Sequence, residues 1–170
     1  MVQYGIMVVG QLIILRLNQM EIRNSYPKLS TKKILEKFSL YGLTPPKEYT
    51  NFLEKYNGGY PEVECEYVDK EDDEYTIPLD CFYGISDTDT SISIFARRGF
   101  LSGSLPNQLL PIAGDGIGNE ICLGVEGEFF GKVYFWNKDG EAQSQEEVNF
   151  SNVELITDSF DLFLLSLTPI

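Results

Sequence analysis

The densest group of ionisable side chains in this sequence is a run of eight carboxylates between residues 62 and 74, opposed only by Lys70. Paired carboxylates can act as acid and base in glycoside hydrolysis, but that chemistry needs a cleft. A strand face followed by a charged turn is exposed instead, so we expect a solvated face or a landing site for a basic partner. The residues are Glu62, Glu64, Glu66, Asp69, Glu71, Asp72, Asp73 and Glu74.

A second candidate is the glycine-rich stretch LLPIAGDGIGN, residues 109–119. A P-loop needs Lys-Ser/Thr and then a helix, whereas Asn119-Glu120 and an apolar strand follow here. A dinucleotide loop needs G-x-G-x-x-G opening a helix, and a calcium loop needs more carboxylates at another spacing. We interpret the stretch as a turn in which glycines take positive φ while Asp115 and Asn119 bond local backbone. Contact between Asp115 and a partner stays open.

The sequence contains few of the residues that other kinds of catalysis need. The chain has no histidine, which excludes Ser-His-Asp and Cys-His catalysis and most catalytic zinc sites. The number of cysteines is odd, and no C-x-x-C pair occurs among Cys65, Cys81 and Cys122. We therefore expect reduced cysteines in a cytoplasmic protein. Arg97 and Arg98 are interpreted as salt-bridged surface, with an anion site as the alternative. We predict no catalytic residue, no bound cofactor and no bound metal, and we therefore expect that the protein is not an enzyme.

The charge balance restricts the partners. The formal net charge is −13, from 26 acidic and 13 basic residues. Such a surface repels nucleic acid and anionic membranes, because each phosphate contact needs a Lys or Arg. It attracts basic partners from a distance. The simpler interpretation is that the acidity only keeps the protein in solution.

Three helices are predicted around these candidates. Ser30 can cap a helix whose apolar residues recur at helical spacing up to Tyr41, with Gly42 as C-cap. Thr44 and Pro45 can begin a second helix that ends at residues 57–59. Ser159 or Asp158 can cap a closing helix, SFDLFLLSL, with one apolar face.

The strands are predicted mainly from residue 62 onwards. Alternation over residues 62–68 turns Val63, Cys65 and Tyr67 inward, and residues 75–85 return as a strand that Pro78 limits to an edge or a bulge. Further strands are expected at residues 109–113, 119–125 and 132–136, with a short helix near residues 92–95 and a loop at residues 141–149. This order predicts a single α+β domain, an antiparallel sheet with flanking helices.

The N-terminal residues 1–26 are predicted to be an extension of a domain that covers residues 27–170. Ile6–Leu17 is apolar but too short and interrupted to span a bilayer, and it makes a poor signal peptide. It could be a strand or helix that covers the core. It could also be an upstream extension, because Met7 and Met20 are alternative starts.

Four motifs in order resemble one family. LTPPKEYTNFLEKYNGG resembles its helix with an Asn-Gly-Gly end, and LLPIAGDGIGNEICLGV its central glycine-rich turn and strand. GKVYFWNKDGE resembles the strand and polar turn that follow, and SFDLFLLSL the final helix. Over residues 30–167 the chain therefore resembles the SUKH superfamily, the Smi/Knr-like immunity-protein group.

The resemblance implies an α+β fold and a binding function. Bacterial members are commonly immunity proteins that bind a cognate polymorphic toxin, often a nuclease, in the producer's cytoplasm. Eukaryotic relatives imply the alternative, a regulatory scaffold without a toxin partner. The family implies no shared catalytic residue. The family motif positions, which we interpret as structural, are Asn57, Gly58, Gly59, Asp115, Gly118 and Asn119.

Overall fold

The fold is α+β and forms one domain. The computed structural model describes residue 11 and residues 20–140 and 148–170. The helices in this part are α1 (Thr31–Ser39), α2 (Lys47–Lys55), α3 (Ile94–Phe100) and α4 (Phe160–Ser166). The strands are β1 (Ile22–Arg23), β2 (Tyr60–Pro61), β3 (Cys65–Val68), β4 (Thr76–Leu79), β5 (Cys81–Phe82), β6 (Leu109–Gly114), β7 (Glu120–Gly124), β8 (Val133–Trp136), β9 (Val153–Thr157) and β10 (Leu167–Pro169). Across the described ranges, no helix has the length and apolar character needed to cross a membrane.

Helix α1 follows the predicted capping but ends early. The Ser30 hydroxyl accepts a hydrogen bond from the Lys33 N–H at 3.3 Å, which satisfies a free donor of the first turn. The helix ends at Ser39, before the predicted C-cap Gly42. The predicted apolar stripe is only half correct, because Tyr41 lies beyond the helix and is 51% exposed.

Helix α2 begins at Lys47, so the prediction that Thr44 caps it and Pro45 opens it was wrong. The reason is the Pro45-Pro46 pair, since a residue that precedes proline is disfavoured in helical backbone. Pro46 takes the N-cap position and makes no side-chain capping bond. The core face of α2 is nevertheless buried as its spacing predicts.

The strands form antiparallel sheets. The largest has the order β5-β6-β7-β8-β9, and the others are β10-β3-β4 and β1-β2. Strands β9 and β10 were not predicted. Strand β10 forms from the last residue of the predicted closing helix, because the chain turns extended at Leu167 and pairs with β3.

The central strands of the five-stranded sheet, β6 and β7, are buried on both faces. In β7, Ile121 and Leu123 face the main core, whereas Cys122 faces a second cluster that contains Trp136. Side chains alternate between faces along a strand, so burial on both faces explains why this region reads as a continuous apolar run. The main core is rich in aromatic contacts, such as Phe52 against Phe82 and Phe160.

The closing helix α4 follows its prediction at the N-terminus. The Ser159 hydroxyl accepts from the Leu162 N–H at 3.2 Å, and the predicted apolar face is buried. Helix α3 extends from Ile94 to Phe100, beyond the predicted residues 92–95. Of the predicted loop at 141–149, residues 141–147 lie outside the described residues.

Within the predicted extension 1–26, the described residues 20–26 contact the rest of the domain. Strand β1 pairs with β2, and the hydroxyl of buried Tyr26 donates to the Asp89 carbonyl at 2.9 Å. The prediction for Ile6–Leu17 falls on residues that, apart from Gln11, lie outside the described part.

Candidate functional site

The carboxylate run forms a hairpin made by β3 and β4. The pairs Cys65–Leu79 and Tyr67–Ile77 lie opposite each other, and all four side chains are buried. Strand β3 begins only at Cys65, so the prediction that Val63 points inward was wrong; its side chain is 60% exposed. Between the buried positions, the carboxylates reach solvent.

Most of the predicted partner-binding carboxylates are exposed. Glu66 and Asp69 are half-buried, and the remainder are open to solvent. Within the described ranges, the only salt bridge made by this group joins Glu62 to Arg23, at 3.8 Å. The exposed carboxylates are Glu62, Glu64, Glu71, Asp72, Asp73 and Glu74.

The tip of the hairpin is organised by Asp69. Its Oδ1 accepts from the N–H groups of Glu71 at 2.7 Å and Asp72 at 3.0 Å. These backbone donors, together with the Tyr67 hydroxyl 3.0 Å from Oδ2, lower the pKa of Asp69 below its ordinary value. These bonds therefore order the backbone from which the carboxylates of the turn project.

The acidic surface continues onto strand β9. The Tyr75 hydroxyl donates to Glu154 Oε2 at 2.8 Å, and the Tyr67 hydroxyl lies 2.9 Å from the Ile156 carbonyl. Burial and the bond to Glu154 raise the pKa of Tyr75 to about 12. Glu154 is thus a further exposed carboxylate of this surface, which the sequence analysis missed because β9 was not predicted.

The glycine-rich stretch is a turn closed by its own anion. Asp115 Oδ1 accepts from the N–H groups of Ile117, Gly118 and Asn119 at 3.0 to 3.1 Å, and Oδ2 accepts from the Asn119 amide at 2.6 Å. The Lys138 ammonium donates to the Ile117 carbonyl at 2.6 Å. The N–H groups that a bound phosphate would need are already occupied by a carboxylate.

The Asn-Gly-Gly motif joins three chain segments. Fully buried Asn57 has φ 49°, and its amide donates to the carbonyls of Pro27 at 2.7 Å and Ile85 at 3.1 Å. Its Oδ1 accepts from the Ile85 N–H at 2.8 Å. A Cβ on Gly58 would lie 2.6 Å from the Gly84 nitrogen, so the two backbones could not approach with a larger residue there.

A buried ionic cluster was missed by the sequence analysis. Glu120 is fully buried, and its Oε1 accepts hydrogen bonds from Arg97 Nε at 2.6 Å and from Arg97 Nη2. Its Oε2 accepts from the Tyr83 hydroxyl at 2.9 Å. Arg97 is therefore not the surface residue that was expected. Burial raises the pKa of Glu120, against the opposing effect of its two donors. Both carboxylate oxygens of Glu120 are therefore used in hydrogen bonds inside the domain.

The cysteines and the remaining ligand types do not combine into a metal centre. Cys65, Cys81 and Cys122 are buried and form no disulfide, and burial raises the pKa of Cys81 to about 12. In residues 20–140 and 148–170, no three His, Cys, Asp or Glu side chains are grouped to hold a metal ion.

The architecture places this chain among acidic α+β proteins with an exposed carboxylate hairpin. Residues 28–166 match the SMI1/KNR4 family (SUKH-1), and the chain belongs to that family. It is also similar to the SPbeta prophage-derived uncharacterized protein YokK of Bacillus subtilis (strain 168). The two are 31% identical over 160 residues, which cover 84% of this chain and 77% of the relative.

Proposed function

We propose that this chain is a bacterial immunity protein that binds a cognate polymorphic toxin in the cytoplasm and neutralises it without catalysis. The observation that carries the proposal is the exposed carboxylate surface of the β3–β4 hairpin and Glu154. Membership of the SMI1/KNR4 family supports a role in protein binding. The similarity to a prophage-derived protein is compatible with a role in competition between genetic elements.

Inhibition would occur by occlusion. A nuclease binds phosphates with Lys and Arg side chains, so its active site presents a basic surface. Carboxylates held by the Asp69 turn can cover such a surface in place of the nucleic acid. Charges of opposite sign also accelerate association, which matters for a toxin that must be captured before it acts.

The hairpin is tested by two variants of equal charge. The hairpin variant carries Glu64→Lys, Glu71→Lys and Asp73→Lys, and the matched control carries Glu126→Lys, Glu128→Lys and Asp139→Lys. All six positions are exposed, so both variants change the net charge equally without disturbing the core. Association with the basic toxin domain encoded beside the gene is measured by stopped-flow fluorescence at low salt.

The hairpin variant should associate at least about tenfold more slowly than the control, because the local field at the docking surface is reversed. Raising the salt concentration should slow the wild type and reduce the difference. Equal slowing of both variants would show that only the overall charge matters. Tight binding by the hairpin variant at unchanged rate would move the interface elsewhere. A neighbourhood without a toxin gene would favour the scaffold alternative.

A further inference from the structure

A pocket of about 280 Å³ lies between the end of helix α1, helix α3 and the loop that leads to strand β6. Leu101, Leu105 and Leu109 line it and also belong to the second cluster, the one that contains Trp136. The pocket is therefore built on a packed part of the domain. Its volume is just below the roughly 300 to 1,000 Å³ of small-molecule sites and suits one large side chain.

One wall of this pocket is a pair of stacked aromatic rings. The rings of Tyr41 and Phe95 are nearly parallel, at 6°, and their centroids lie 4.0 Å apart. Phe95 also packs edge-on against Phe38 of the core, so the stack is anchored on its inner side. Tyr41 remains 51% exposed. An aromatic side chain that enters the pocket can contact this stack, which contributes more than its buried area alone.

Exposed apolar side chains adjoin the pocket on both sides in the sequence. Leu40, next to Tyr41, is 76% exposed. Phe100, which adjoins the lining residue Leu101, is exposed to the same extent. A small ligand seated in the pocket would leave these side chains in water, whereas a protein partner can cover them. Aromatic residues and arginine are also the types enriched at the centres of protein interfaces.

Arg98 supplies the charge that selects the occupant. Among the described residues it is the one charged side chain that lines the pocket, and it forms no salt bridge there. It is half-buried and donates a long hydrogen bond to the Asn107 carbonyl, at 3.4 Å. The neighbouring Arg97 differs, because its charge is paired with Glu120. A half-buried guanidinium without a carboxylate favours an anion, and its geometry matches both oxygens of a carboxylate.

We propose that this pocket binds a segment of a partner protein that carries an aromatic side chain beside a carboxylate. The ring enters against Tyr41 and Phe95, and the carboxylate of an adjacent residue binds the Arg98 guanidinium. The net charge of the chain opposes an acidic segment from a distance, but at about 0.15 M salt this repulsion is screened beyond about 8 Å. Direct contact with Arg98 acts within that range. The inference does not depend on toxin binding at the hairpin.

Peptide titration of the full-length protein, followed by two-dimensional NMR at about 150 mM NaCl, tests the proposal. The probe is a capped peptide with a tryptophan between two glutamates. The controls replace the tryptophan by alanine, or both glutamates by lysines. The probe should shift the amide resonances of Gly99, Ser102 and Asn107, and should bind there about tenfold or more tightly than either control. Equal binding of the lysine peptide at these amides, or no shift of them, would overturn the proposal.

Two variants assign the binding to the pocket and to the guanidinium. A Cβ at Gly99 would meet no atom within 4 Å, so larger side chains are accommodated at this lining position. Gly99→Leu should weaken probe binding about tenfold or more, whereas the matched control Gly99→Ala should keep it within about twofold. Arg98→Gln should weaken the glutamate probe by about tenfold and leave the lysine peptide unchanged.

Three results of these measurements would contradict the proposal. Equal loss in Gly99→Ala and Gly99→Leu would mean that the pocket space is not used. Equal loss of both peptides in Arg98→Gln would mean that the arginine acts through structure and not through charge. Shifts of the same amides that grow with protein concentration, without peptide, would show that a second copy occupies the pocket. Well-dispersed amide resonances in β6, β7 and β8 confirm that each variant is folded.

Discussion

Asn57 and Asp115 each replace backbone partners that regular structure does not supply. Asn57 bonds the backbone of two distant segments, and Asp115 collects three consecutive N–H groups of its own turn. Both side chains are themselves buried, and each bonds several backbone groups with one short side chain. Asn and Asp suit this task because they tolerate tight backbone geometry and reach nearby groups.

Replacing Asn57 should therefore be costly. Asn57→Ala removes three hydrogen bonds and places alanine at positive φ, so the free energy of unfolding should fall by about 3 kcal/mol. Urea unfolding measures the change. Asn107→Ala is the control, because the Asn107 side chain is exposed and should matter by less than about 0.5 kcal/mol. A loss below about 1 kcal/mol for Asn57→Ala would contradict the importance of these bonds.

The buried cluster predicts a stability loss that depends on pH. Arg97→Met leaves the Glu120 carboxylate buried without its cation, which should cost about 3 to 5 kcal/mol at pH 7. Burial raises the folded-state pKa of Glu120, so the folded state binds the proton more tightly than the unfolded state. The variant should consequently regain stability as pH falls from 7 toward the ordinary carboxyl pKa.

Urea unfolding of Arg97→Met at pH 7 and pH 5 measures this effect. Adding Glu120→Gln to the same chain removes the charge, so the double variant should be more stable than Arg97→Met at pH 7 and nearly independent of pH in this range. An equal loss for Arg97→Met at both pH values would mean that packing, and not the carboxylate charge, sets the cost.

At the scale of elements, the hairpin and the five-stranded sheet meet through tyrosines. Tyr67 and Tyr75 extend from the hairpin to the Ile156 carbonyl and to Glu154 on β9. Tyr75 directly follows the turn, so the hairpin is connected to the sheet close to its tip, where Asp69 accepts from the Glu71 and Asp72 amides.

Acidification should loosen the tip before the core. The pKa of Asp69 is lowered in the folded state, so its contribution is complete above the ordinary Asp pKa and is lost as pH falls through the lowered value. The amide resonances of Glu71 and Asp72 should shift together, with a midpoint below about 3.9. Two-dimensional NMR across a pH titration measures this midpoint. In Asp69→Ala the shared transition should be absent; its persistence there would assign the titration to another carboxylate.

Sequence reasoning succeeded for elements with strong local signals. The Ser30 cap, the apolar face of α4 and strand β7 each rest on spacing or capping within a few residues. It failed where pairing with residues distant in the sequence determines the structure. Strand β9 has two exposed positions in Glu154 and Leu155 and is defined by pairing with β8, and β10 exists because β3 lies beside it.

The features of the candidate site likewise include some that the local sequence predicts and others that it does not. Exposure of the carboxylate run follows from composition and alternation, so it could be predicted. The bond from Arg97 to Glu120 spans 23 residues and could not be predicted. No local pattern links a helix residue to an inward-facing Glu at the start of a strand. A Glu directly before the apolar residues of β7 was the only available signal.

At the scale of the whole molecule, acidic residues outnumber basic ones by two to one. Compact folding brings these charges together, and the mutual repulsion opposes the folded state. The 13 Lys and Arg side chains can pair with at most about half of the 26 carboxylates one to one, so pairing leaves much of this repulsion in place.

Moderate salt should therefore stabilise the protein. Between about 10 mM and 150 mM NaCl the screening length falls from about 30 Å to about 8 Å, which weakens repulsion across the surface. The thermal midpoint should rise, as measured by circular dichroism. The Glu126→Lys, Glu128→Lys, Asp139→Lys variant, with a smaller net charge, should show a smaller rise. A midpoint that falls with salt would mean that the surface ion pairs outweigh the repulsion.

Pro78 lies on β4, the outer strand of the three-stranded sheet, and its side chain is exposed. Proline has no N–H, so this edge lacks one of the donors with which a strand from another molecule would pair. The charged tip beside it adds repulsion between identical copies. The exposed carboxylates and the missing donor together make the outer edge of this hairpin a poor template for aggregation.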